Sequence, residues 1–183
     1  MRRIRTAFII MISVTAALAA AVFFNRIMSD AVISVLWLPG YSAPSGKTVY
    51  DPDEDIKITE KGRRLTVQKS GKRIWDLPRE VMAQDFLFED MDHDGEKELM
   101  VLCWKRGRFG KHRPTWVTED EKGWSQHIFI YEIKDMKVVP KWMASDIGMD
   151  AATWEFDDGV LSITDINGVV SRWIWYSWGF EKL

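Results

Sequence analysis

Phe86-Leu-Phe-Glu-Asp90-Met-Asp-His-Asp94-Gly-Glu-Lys-Glu98-Leu-Met-Val-Leu-Cys-Trp104 is the stretch whose reading decides the fold. Phe86 and Phe88 alternate with Leu87 and Glu89 ahead of a cluster of acids. Behind that cluster, residues 99–104 are an apolar run of strand length, with neither a helical period nor a helix cap. The acidic residues therefore join two strands, which places the chain in a β class.

The acids themselves carry the chemistry. Asp90, Asp92 and Asp94 stand at alternate positions, Gly95 supplies a sharp turn, and Glu98 closes the loop at its ninth position. Like charges this close repel unless a cation neutralises them. Hard oxygen donors are what Ca2+ takes, six to eight of them, with some drawn from backbone carbonyls. In this reading Asp90, Asp92, Asp94 and Glu98 give side-chain oxygens and Glu96 a backbone carbonyl. An EF-hand requires a bidentate Glu at its twelfth position, which here is Val101, so that helical class is excluded. The run Asp-x-Asp-x-Asp-Gly-x-x-Glu-Leu at residues 90–99 resembles the loop of the FG-GAP/VCBS repeat family, where it lies between strands of extracellular propeller blades. The resemblance implies a bound calcium and an extracytoplasmic setting, and it covers the rest of the domain only loosely. An acidic turn without metal is the other reading of these residues.

Outward from this loop, short β-type runs alternate with turn signals. Residues 56–59, 65–68 and 73–75 are separated by Lys61-Gly62 and Ser70-Gly71, and residues 153–156, 160–164 and 169–176 by Asp158-Gly159 and Asn167-Gly168. Residues 127–133 and 136–142 form another hairpin around Lys134-Asp135. The expectation is a mainly β domain of repeated antiparallel meanders, either an incomplete propeller or a compact sandwich. Three meander units fall short of the usual four to eight blades. Ten tryptophans suit sheet stacking, and Trp75, Trp142, Trp173 and Trp175 are the expected inter-sheet core.

One connection is long. Residues 105–126 have little periodicity, begin basic and turn acidic at Glu119-Asp-Glu121. Loops of this length in compact domains are commonly functional or disordered. Arg108, Arg113 and Trp116 are the candidate partner-binding residues, for a protein or an anionic envelope polymer. A surface excursion whose opposite charges pair with each other is the competing reading.

The N-terminal portion reads differently. Arg2, Arg3 and Arg5 precede the uncharged residues 7–24, long enough to cross a bilayer core. Residues 1–30 are expected to form a transmembrane signal anchor, residues 31–53 a linker, and residues 54–183 the β-domain. The positive-inside rule puts the C-terminal domain outside the cytoplasm. Cleavage near Ala19-Ala-Ala21 would instead release a secreted protein, but the apolar run continues past that point through Phe24. Beyond residue 26 the chain has 21 basic against 27 acidic side chains, a net of −6, which argues against a nucleic-acid partner. Cys103 is the only cysteine, so no intramolecular disulfide forms and a buried core thiol is expected.

No Gly-x-Ser-x-Gly elbow, His-Glu-x-x-His pair or phosphate-binding glycine loop is present, and the three histidines are scattered, with His93 expected to face solvent. The sequence thus favours a membrane-tethered, calcium-stabilised binding or scaffold module of the cell envelope. An envelope hydrolase and a structural subunit docking through a sheet edge are the alternatives.

Overall fold

Twelve strands form three sheets, each a four-stranded antiparallel meander in which every strand pairs with its sequence neighbours. The computed structural model describes residues 46–109, 114–144 and 147–183. The expected anchor and Arg113 lie outside the described residues. The first sheet holds β1 (Thr48–Asp51), β2 (Ile56–Lys61), β3 (Arg64–Lys69) and β4 (Lys72–Asp76). The second holds β5 (Val81–Glu89), β6 (Glu98–Arg106), β7 (Trp124–Lys134) and β8 (Lys137–Met143). The third holds β9 (Ala151–Asp157), β10 (Val160–Asp165), β11 (Val170–Tyr176) and β12 (Gly179–Lys182).

The hydrophobic pattern explains how the sheets stack. Strand β6 is buried on both faces from Glu98 to Trp104, as its unbroken apolar run requires. Leu99, Val101 and Cys103 face the first sheet and pack with Ile56, Ile58, Leu65, Val67 and Phe86. Met100 and Leu102 point the other way, onto Trp154, Leu161 and Ile163 of the third sheet. The middle sheet is therefore sandwiched. On the outside of its neighbours, Lys57, Thr59 and Thr66 of the first sheet and Thr153, Glu155 and Arg172 of the third are exposed or half-exposed, beside the exposed Val170 and Tyr176. Among the described residues none of the three sheets closes into a ring.

Two expectations need correction. β1 occupies part of the stretch read as linker, and Thr48 to Asp51 pair with Thr59 to Ile56. Its four residues are too few to show a period, and the adjacent Pro52 and Asp53 suggested a loop. The tryptophan core is the second. Trp75, Trp142, Trp173 and Trp175 are only half-buried and rim the two cores. The centres are aliphatic, and the deeply buried indoles are Trp104 and Trp154. Trp104 Nε1 donates to Gln84 on the neighbouring strand of its own sheet, and Trp154 Nε1 ties the third sheet to the second by donating to Asp85 at 2.9 Å. Cys103 is fully buried, as expected, and burial pushes its thiol pKa up.

A buried acid sits where the first two sheets meet. Glu60 on β2 is 2 % exposed and its Oε1 has no hydrogen-bond partner. Burial foremost, then the Asp85 carboxylate, raise its pKa from 4.5 to about 7, while Lys47, which pairs with Asp85 at 2.9 Å, opposes the shift. The folded state therefore holds this proton more tightly than the unfolded chain. The stability it contributes is complete below pH 4.5 and is lost as pH rises through 7. Denaturant titrations from pH 5 to pH 8 should show a loss of roughly 2–3 kcal/mol from this group, absent in Glu60→Gln. An identical pH dependence in Glu60→Gln would assign the effect elsewhere.

Candidate metal centre

The acidic loop lies between β5 and β6 and touches all three sheets. Lys97 reaches Asp51 of β1 at 2.7 Å, and that aspartate is 5 % exposed, with its other oxygen accepting the N–H groups of Asp53 and Glu54. Met91 is buried in the core between the second and third sheets. His93, exposed as expected and in the left-handed region at φ 59°, lies over the β9–β10 turn. A Cβ on Gly159 would come within 2.6 Å of His93 Nε2. Gly159 thus serves both the turn, with φ 76°, and the close approach of the imidazole.

Folding converges three of the predicted ligands. Asp90, Asp92 and Glu98 each offer a carboxylate oxygen within 4.8 Å of the others. Local backbone hydrogen bonds shape the loop around them. Asp90 accepts the N–H of Asp94 at 3.1 Å and of Gly95 at 3.0 Å, and Glu98 Oε2 accepts that of Met91 at 3.2 Å. Gly95, at φ 90°, makes the reversal that brings Glu98 back. Asp94 and Glu96 are not part of the triad. The Asp94 carboxylate accepts the Glu96 N–H at 2.8 Å, and the exposed Glu96 side chain faces Lys134 at 3.8 Å.

A cation of the protein's own stands among these acids. Lys141 of β8 places its ammonium 2.6 Å from Asp92 Oδ2, 2.7 Å from Glu98 Oε1 and 3.4 Å from Glu132 Oε1. The lysine side chain is 15 % exposed and Glu98 only 1 %. Burial draws the ammonium toward neutrality, but Asp92 and Glu98 outweigh it and hold the Lys141 pKa above its ordinary value. Burial raises the Glu98 carboxyl, and Lys141 opposes that rise. Sequence reading missed Lys141 because it lies 43 residues from Glu98 in the chain. Only the pairing of β6 with β7 and of β7 with β8 brings it back.

The donor set fits a divalent cation on its remaining side. Asp92 Oδ1 is buried without a hydrogen-bond partner, and each Asp90 oxygen has lone-pair capacity beyond the single N–H it accepts. Lys141 neutralises one charge of the group, leaving an excess of negative charge. Asp90, Asp92 and Glu98 are the residues that would hold the ion.

Arg108 and Trp116, two of the candidate partner-binding residues, fall elsewhere. β6 and β7 pair out to Arg106 and Trp124, so the long connection is shorter than residues 105–126 suggested. Asp120 Oδ1 accepts the N–H groups of Arg108 and Phe109 at 2.9 and 3.1 Å, organising its first turn. Trp116 is 82 % exposed, so it is not part of the core. The hydrolase alternative finds one nucleophile-like contact. His127 Nδ1–H donates to the Ala144 carbonyl at 2.9 Å, which leaves Nε2 to accept from the Ser125 hydroxyl at 2.8 Å. A backbone carbonyl, not a carboxylate, orients this ring. The imidazole is fully buried, and we assign the pair to packing between β7 and β8. Comparison with known proteins finds no matching family model, no matching characterised protein and no matching solved structure.

Proposed function

We propose that this protein is a membrane-tethered, extracytoplasmic binding or scaffold module of the cell envelope, stabilised by calcium at its acidic loop. The observation that carries the reading is the meeting of Asp90, Asp92 and Glu98, with a buried, unpartnered Asp92 oxygen, in a loop fastened to every sheet. A divalent ion there stiffens the junction of the three sheets and holds the surfaces beside it in place. Three consecutive meanders, each packed face to face on the next, support the reading of an incomplete propeller. The tether and the extracytoplasmic setting rest on the basic, then uncharged, N-terminal sequence.

Metal that binds only the folded state adds RT ln(1 + [L]/Kd) to stability. Extracellular calcium modules often bind in the range of about 0.1–1 mM. Ten-millimolar-scale calcium should then add about 1.4–2.7 kcal/mol and raise the melting temperature by roughly 4–8 °C. Differential scanning calorimetry against chelator measures it, with Asp92→Ala as the variant that loses the response and magnesium as the control ion. No calcium shift in the native protein, or an equal one in Asp92→Ala, would reduce the loop to an ion-paired acidic turn.

A further inference from the structure

A groove of about 930 Å3 runs between the first two sheets, at the opposite end of β5 and β6 from the acidic loop. Its floor is aromatic and aliphatic: Trp75 of β4 packs on Tyr131 of β7 with ring centroids 4.8 Å apart, and Phe129, Val138 and Pro140 continue the surface. One wall is cationic, formed by Lys105, Arg106 and Arg108 at the end of β6 and the turn after it. Arg106 lies over the Trp124 ring at 5.2 Å, which stations a flat cation beside a flat apolar face. Among the described residues that line the groove, Glu80 is the only acid. This cationic wall stands out in a chain whose residues beyond 26 carry a net of −6.

The character of the lining selects among anionic partners. A peptide added as a strand on this side of the middle sheet would pair with its edge strand β8. Pro140 has no N–H to offer such a strand, and the register shift between Ile130 and Tyr131 kinks the pairing opposite it. Pro78 and Pro114 likewise give the lining backbone no N–H donors. Recognition must therefore run through side chains, with ring faces for flat apolar surfaces and cations for anions. Sugar rings bearing carboxylate or phosphate groups present both features in alternation, without a backbone ladder.

We propose that this groove binds an anionic polysaccharide, with Lys105, Arg106 and Arg108 on its acidic groups and Trp75 and Trp124 against its sugar rings. The inference rests on the binding-module reading above and names the partner class. The test uses the full chain in detergent, titrated with polygalacturonate, neutral dextran and polyglutamate, and followed by tryptophan fluorescence and co-sedimentation. Polygalacturonate should bind, dextran should not, and polyglutamate should bind more weakly. Lys105→Gln with Arg108→Gln should weaken polygalacturonate binding by about tenfold or more, and roughly 0.5 M salt should do the same. Trp75→Ala should weaken it as well. The double glutamine variant leaves the core intact and keeps the test valid if Trp75→Ala unfolds. Polyglutamate binding as tight as polygalacturonate would overturn the glycan assignment and leave the binding module standing. Equal binding of dextran, or polygalacturonate binding untouched by the double variant, would overturn the groove. No binding of any polymer would overturn it too, while the calcium melt separately decides the reading on which it rests.

Discussion

Replacing Lys141 with methionine is expected to destabilise the domain by about 3–5 kcal/mol, the usual cost of stripping one partner from a buried ion pair. The reason lies in what the lysine leaves behind. Glu98 is 1 % exposed and draws its charge compensation from an ammonium 2.7 Å away, while Asp92 shares the same ammonium at 2.6 Å. Without it, the buried carboxylates face one another, and Glu98 takes up a proton, so the penalty should shrink as pH falls. Chemical denaturation at pH 5 and pH 8 reads both effects. Calcium adds a second arm: removing a fixed positive charge from the donor set makes a divalent cation more welcome, so calcium should rescue Lys141→Met more than it stabilises the native protein. A loss of under about 1 kcal/mol, the range of surface ion pairs, would mean that Lys141 swings free in solution. An equal calcium response in both proteins would place the metal away from the lysine.

Phe86→Ala is expected to cost about 3–5 kcal/mol, since the ring is fully buried and a cavity remains where it was. Phe86 lies in the core formed between the first sheet and the middle one. Urea denaturation monitored by near-ultraviolet circular dichroism should show an earlier midpoint for the whole transition. A cost near 1 kcal/mol would indicate that the two sheets dock loosely. The same measurement on Trp75→Ala should give a smaller loss, because Trp75 is a half-buried rim residue and not part of the core centre.

What the sequence revealed and concealed follows from the range over which each signal acts. The hairpins were readable because alternation and Gly turns are local. Runs such as Leu65 to Val67 and Leu161 to Ile163 point alternate residues inward in both pattern and structure. The unbroken run at residues 99–104 was readable as a strand, but that both its faces are covered, and by which sheets, emerges only in the structure. Asp90, Asp92 and Glu98 were readable as converging carboxylates because one loop fixes their spacing. Asp94 lies outside that cluster and accepts the Glu96 N–H, an arrangement spacing alone does not reveal. Asp51 and Glu60 were invisible for the opposite reason. Their roles arise from contacts between sheets, and a charged residue in an alternating strand reads as solvent-facing until its neighbour is known. β12 is four residues long and β1 equally short, below the length at which a period can be recognised.

The way the strands are connected has a bearing on how this chain acquires its structure. Every strand pairing joins neighbours in sequence, so each meander can zip up through short loop closures. The sheets are joined by two apolar cores and by polar ties, several of which span long separations: 46 residues for Lys97 to Asp51, 67 for Gln84 to the Ala151 carbonyl, and 69 for Trp154 to Asp85. Formation of the separate meanders should be quick, and the slow event should be their mutual docking. The transition state is then expected to resemble three formed sheets meeting. Substitutions at Asp51 or Asp85 should accelerate unfolding far more than they retard folding. Residence time in the assembled state, and with it resistance to proteases, is thereby set by the apolar packing and the polar ties at the seams between sheets.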